Sequence, residues 1–115
     1  MAETLNKDIL RGGQFLVKET NCEDIFTPED FTEEQTMMRD AVIEFNDREI
    51  IPHKTRFEAK DYALTEETMR KAGELGFLGV AVPEAYGGLG MGFVSTMLTC
   101  DYISSGTGSF STAFG

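Results

Sequence analysis

The residues of this 115-residue sequence that could do chemistry are few, and none lies in a spacing that the chemistry requires. The run Pro83-Glu84-Ala85-Tyr86-Gly87-Gly88-Leu89-Gly90 suggests a phosphate cradle, because glycine lets backbone N–H groups approach an anion closely. Yet Gly87, Gly88, Gly90 and Gly92 do not make G-x-G-x-x-G, and no Lys-Ser/Thr pair follows them as a P-loop requires. Ser104, Ser105 and Ser109 lack the G-x-S-x-G elbow of a nucleophilic serine. The single histidine, His53, follows Pro52 in a charged stretch and reads as a solvated helical residue rather than a general base. Glu29-Asp30, Glu33-Glu34 and Glu66-Glu67 could be imagined as acid and base, but they fall where first helical turns are expected and favour the helix dipole instead. Calcium-loop spacing is absent. Cys22 and Cys100 have no C-x-x-C partner, so neither a zinc site nor a disulfide scaffold is indicated; reduced thiols and a cytoplasmic location are expected. Cys100 reads as a small core residue.

The elements that would carry these residues are helical. Residues 1–26 have weak periodicity and a Gly12-Gly13 break, and read as a mobile arm with one short helix ahead of the break. Thr27-Pro28-Glu29-Asp30 is a helix-start signal, and Thr32-Glu33-Glu34-Gln35 is a capping box that starts a helix near Glu33. Met38, Ala41, Val42 and Phe45 give that helix its apolar face, and Pro52 ends or kinks it, with another turn or two over residues 53–60. A second helix is predicted from a Thr65 cap, with Leu64 and Met69 stapled across it, to a stop at Gly76 in the left-handed conformation with Phe77 folded back. After a glycine-rich loop, a third helix fits residues 93–103, and another apolar stretch begins at Ser109.

Composition adds a division. The chain has 20 acidic and 10 basic residues for a net charge of −10, with 41% hydrophobic residues, nine phenylalanines and no tryptophan. These values fit one folded domain at most and exclude a solvated, disordered chain. The acidic balance disfavours nucleic acid and anionic membranes as partners, and neither a signal peptide nor a membrane span is recognisable. All the basic residues fall within residues 1–71, whereas residues 72–115 carry only Glu74, Glu84 and Asp101. A segment so poor in charge is expected to be packed on both sides, so the chain reads as part of a larger protein. Its end in mid-element supports that reading.

The run from Leu75-Gly76-Phe77-Leu78-Gly79-Val80-Ala81-Val82-Pro83-Glu84 through Gly90 resembles the signature loop in the amino-terminal domain of acyl-CoA dehydrogenases. Phe31-Thr32-Glu33-Glu34-Gln35, Arg39 and Glu49-Ile50-Ile51-Pro52 are similar to that family's first long helix, and Ser105-Gly106-Thr107-Gly108 resembles the turn before its pocket helix. The resemblance covers residues 26–115; residues 1–25, with Leu10-Arg11-Gly12-Gly13-Gln14-Phe15-Leu16, look like the amino-terminal extension of the very-long-chain-like members. It implies an all-α orthogonal helical bundle with a glycine-rich loop, the first of three domains, the others being a middle β-domain and a carboxyl-terminal helical domain. By the same resemblance the parent enzyme converts acyl-CoA to trans-2-enoyl-CoA in fatty acid β-oxidation with FAD. It would be a dimer or tetramer that passes electrons to an electron-transferring flavoprotein. The catalytic glutamate and most flavin contacts belong to the absent domains, so the isolated chain is expected to be inactive and to hold no FAD. The positions matching the family's acyl cavity are Ser111, Phe114 and Gly115, with Phe114 as a gauge of chain length, and ordinary packing as the competing role. Tyr86 is expected to pin the loop by packing and a hydrogen bond. A stand-alone helical interaction module without catalysis is the alternative.

Overall fold

A computed structural model describes residues 9–115; the short helix expected before Gly12 falls largely outside the described residues. Five α-helices are present, α1 (Glu33–Phe45), α2 (Lys54–Glu58), α3 (Tyr62–Glu74), α4 (Phe93–Ser104) and α5 (Gly108–Phe114), joined by short 3-10 turns. No strand occurs among the described residues. The all-α fold expected from the sequence is therefore present.

The capping box opens α1 as its spacing requires: Gln35 N–H donates to Thr32 Oγ1 at 3.2 Å, and Thr32 N–H donates to Gln35 Oε1 at 3.0 Å. Val42 and Phe45 are buried on its inner face, but Ala41 is exposed, and Asn46 takes the inward position at the helix end. The chain does not stop at Pro52. A π-helical turn over Asn46–Ile50 and a 3-10 turn over Ile51–His53 carry it into α2, with Ile51 N–H donating to Asn46 O. Widening the turn ahead of the proline moves backbone away from the ring, which in a regular α-helix meets the carbonyl four residues back.

The start of α3 corrects the sequence reading. Asp61, not Thr65, is the cap: its Oδ1 accepts from Leu64 N–H at 3.1 Å, and its Oδ2 pairs with Arg56 at 2.8 Å. A carboxylate at this position satisfies an orphan amide and also meets the positive end of the helix. Thr65 lies inside the helix and donates its hydroxyl to Asp61 O, while Leu64 and Met69 pack against the core rather than across a cap. The Leu64 amide, with help from Arg56, holds the Asp61 carboxyl below its ordinary value of 3.8. Stability from this group is present above that value and is lost as pH falls through the lower native one. Asp61→Asn keeps a capping oxygen but removes the charge, so its urea midpoint is expected to fall less steeply than that of the native protein between about pH 5 and pH 2.5. Parallel curves would show that the carboxylate does not couple to folding.

The core is built from Val42, Phe45, Ile50, Phe57, Ala72, Phe77, Ile103 and Phe110. Helix α1 packs mainly on α4, and α5 folds back on α4 and α2. Gly76 closes α3 in the left-handed conformation (φ 85°), and Phe77 turns back so that its ring meets Phe45 edge-on at 5.5 Å between centroids. The buried hydroxyls of Thr68 and Thr99 are satisfied by the carbonyls of Leu64 and Ser95, one turn back. Asn46 ties the π-turn to the α4–α5 connection: its Nδ2 donates to Tyr102 O at 3.2 Å and to Ser105 Oγ at 3.1 Å.

Candidate functional site

The glycine-rich loop folds back on the segment before it. Gly87, Gly88, Leu89, Gly90 and Met91 donate their amides to the carbonyls of Glu84, Pro83, Gly79, Val82 and Val80 respectively, at 2.8–3.3 Å. Five consecutive N–H groups are thus used internally, which excludes the phosphate cradle on physical grounds as well as by motif. Gly88 must be glycine, since a Cβ there would fall onto the carbonyl oxygen and Cβ of Val82. Tyr86 does not pin the loop by packing as expected: its ring is 84% exposed, and the backbone ladder holds the loop instead.

Beneath this loop lies a cleft of about 290 Å³. One wall is the turn that follows α3, with Phe77, Leu78, Val80, Ala81 and Val82; the other comes from α4 (Thr96, Thr99, Cys100) and the end of α5 (Phe114, Gly115). No charged side chain lines it. Thr96 Oγ1 is buried without a hydrogen-bond partner, and the Thr99 hydroxyl is committed to Ser95 O at 2.9 Å. Phe114 enters the cleft half-buried, its ring 6.2 Å from that of Phe110, which in turn lies 5.4 Å from Phe57. Of the three residues singled out from the sequence, Phe114 and Gly115 come together here. Ser111 does not line the cleft; it lies one turn earlier on α5 with its hydroxyl donating to Gly108 O at 3.2 Å.

Cys100 is not the core residue expected; it is half-buried on the cleft wall. Thr96 and Thr99 were missed, and their signal is the spacing 96, 99, 100, which puts two hydroxyls and a thiol on one face of a charge-poor helix. The perturbed titratable groups lie elsewhere. Lys71 holds Glu49 below the usual carboxylate range across a 2.8 Å ion pair, and Glu49 and Glu67 together hold Lys71 above the usual lysine range. Their contacts join the π-turn to α3. His53 sits in the 3-10 turn before α2, and no group of three or more metal-ligating side chains occurs among the described residues. The cleft can therefore hold an apolar chain and limit its length. It has no group placed to move a proton.

The family model described as acyl-CoA dehydrogenase, N-terminal domain, matches residues 32–115. A probable acyl-CoA dehydrogenase of Bacillus subtilis (strain 168) is 37% identical over 108 residues, 94% of this chain and 18% of that protein. The glutaryl-CoA dehydrogenase of Desulfococcus multivorans is 33% identical over 78 residues, 66% of this chain and 20% of that protein. Among solved structures, the acyl-CoA dehydrogenase from Bacillus anthracis complexed with FAD superposes with a TM-score of 0.81 at 37% identity, over 92% of this chain and 18% of that one. The chain thus spans about a fifth of the length of these relatives.

Proposed function

The chain belongs to the acyl-CoA dehydrogenase family, of which it carries the amino-terminal domain, and from that membership we propose that it forms one wall of the acyl cavity in an FAD-dependent acyl-CoA dehydrogenase. The observation that carries this reading is the uncharged cleft closed by Phe114 at the end of α5. The parent activity would be loss of one hydrogen from each of the α and β carbons of an acyl-CoA thioester, leaving a trans-2-enoyl product. FAD, when bound, supplies the hydride acceptor for that step. The residues present do not by themselves fit the flavin. From residue 72 onward there is no Lys or Arg to meet a diphosphate, and the amides of residues 87–91 are already paired. No flavin contact and no proton transfer is therefore assigned to this chain, and residues 1–115 alone are expected to be inactive.

What the chain contributes is shape. Apolar walls exclude water from a hydrocarbon tail, and a ring at the end of α5 limits how far the tail reaches. Residues 26–115 would form the folded domain and residues 1–25 an extension of it. Acyl-CoA, an electron-transferring flavoprotein and further copies of the parent would be its partners. Phe114→Ala in the complete polypeptide is expected to move the preferred acyl chain roughly two carbons longer, raising kcat/KM for the longer substrate about tenfold relative to the original optimum. An unchanged chain-length profile would leave Phe114 as packing only.

A further inference from the structure

Ahead of the domain, residues 10–24 form a lobe closed by Leu10 N–H donating to Asp24 O at 2.8 Å. Its two 3-10 turns, Gly12–Leu16 and Cys22–Asp24, bury no residue. At its tip three consecutive apolar side chains face solvent: Phe15 is 49% exposed, Leu16 76% and Val17 85%. Single exposed apolar residues are ordinary; three in sequence on a lobe without a core mark a contact surface. The lobe contributes to an extended shape, with a radius of gyration of 16.5 Å where a compact domain of this size would have about 13 Å.

The lengths of the relatives indicate what covers this tip. In the Bacillus subtilis protein 108 matched residues make 18% of the length, which implies about 600 residues. That match is longer than residues 32–115 and so reaches into the lobe, as does the superposition on the Bacillus anthracis enzyme, which takes in 92% of the chain. In the Desulfococcus multivorans enzyme 78 matched residues make 20%, which implies about 390 residues, and the match is no longer than the domain alone. The lobe thus accompanies roughly 200 further residues in these relatives. We propose that Phe15, Leu16 and Val17 dock onto that additional segment within the same polypeptide. The proposal rests on the reading above that the chain is one part of a longer enzyme.

The test uses the complete polypeptide with a photoreactive benzophenone side chain at position 16, irradiated in a mixture of isotopically light and heavy subunits and mapped by mass spectrometry. Links within one subunit to the segment absent from the shorter relatives are expected. Links to regions shared with the shorter relatives, links between light and heavy subunits, or a yield no greater than at exposed Glu34 would overturn the proposal, as would a reading frame that ends at Gly115. Leu16→Asp with Val17→Asp is expected to speed proteolysis within the additional segment about tenfold or more, by exposing its docking face; unchanged cleavage counts against docking. Flavin absorbance and acyl-CoA turnover of the unmodified polypeptide test the enzyme reading separately. A colourless, inactive polypeptide that still gives the expected link would overturn that reading and leave the docking intact.

Discussion

Phe110→Ala is expected to destabilise the protein by about 3–5 kcal/mol, as measured by urea unfolding. The ring is fully buried and sits between Phe57 on α2 and Phe114 at the end of α5, with centroid separations of 5.4 and 6.2 Å. Truncation removes apolar area and also leaves a void that three helices must close around. Helix α5 has seven residues, too few to persist without tertiary contacts, so its docking depends on this anchor. Two further outcomes follow. Phe110→Leu should recover more than half of the loss because it refills most of the volume. Proteolysis in the Phe110→Ala protein should begin within residues 104–115, since the weakest-held element opens first. A loss below about 1 kcal/mol would mean that the surrounding side chains collapse into the space, contrary to the packing described.

Gly106→Ala is expected to cost about 1–3 kcal/mol for a different reason, overpacking rather than a cavity. Gly106 is buried in the turn between α4 and α5, and a Cβ there would fall onto Asn46 Oδ1 and within 2.9 Å of Ile50 Cγ2. Asn46 cannot simply swing aside, because its Nδ2 is held by Tyr102 O and Ser105 Oγ. Either those bonds break inside the protein or the turn shifts and carries α5 with it. The double variant Gly106→Ala with Asn46→Ala discriminates between these. If the amide is the obstacle, the pair will be less destabilised than the sum of the single changes, by about 0.5 kcal/mol or more. Strict additivity would show that the turn moves instead.

Much of this architecture was legible because local rules and tertiary demand agree. The Thr32 capping box, the left-handed Gly76 and the returning Phe77 each depend on chemistry within a few residues, and each is found where the spacing put it. Misreadings arose where two local signals competed or where distance in sequence hid the partner. Thr65 and Asp61 both qualify as caps. The carboxylate prevails because it also meets Arg56 and the helix dipole, which a hydroxyl cannot match. Asn46 looks like a surface residue in sequence, and only the approach of residues 102–106, more than fifty positions later, makes its burial favourable. Cys100 was assigned to the core by polarity alone, whereas its helix presents one face to α1 and another to the cleft. The positions of Phe114 and Gly115 at that cleft could be reached only through family resemblance, since nothing in their local pattern separates a cavity wall from ordinary packing.

The wide turn at Asn46–Ile50 also acts on the rest of the chain as a phase adjustment. An α-helix advances each residue by about 100°, and a π-turn advances it by less, so the turn rotates everything beyond it relative to α1. That rotation returns Ile50 to the same inward face as Val42 and Phe45, although the spacing of these residues along the sequence does not fit a regular helix. Removing a single residue from this turn would restore ordinary helical geometry locally and swing α2 out of register with the core. The alignment of Phe57 with Phe110, and with it the placement of α5 at the cleft, is thus set by one residue of chain length some sixty positions upstream.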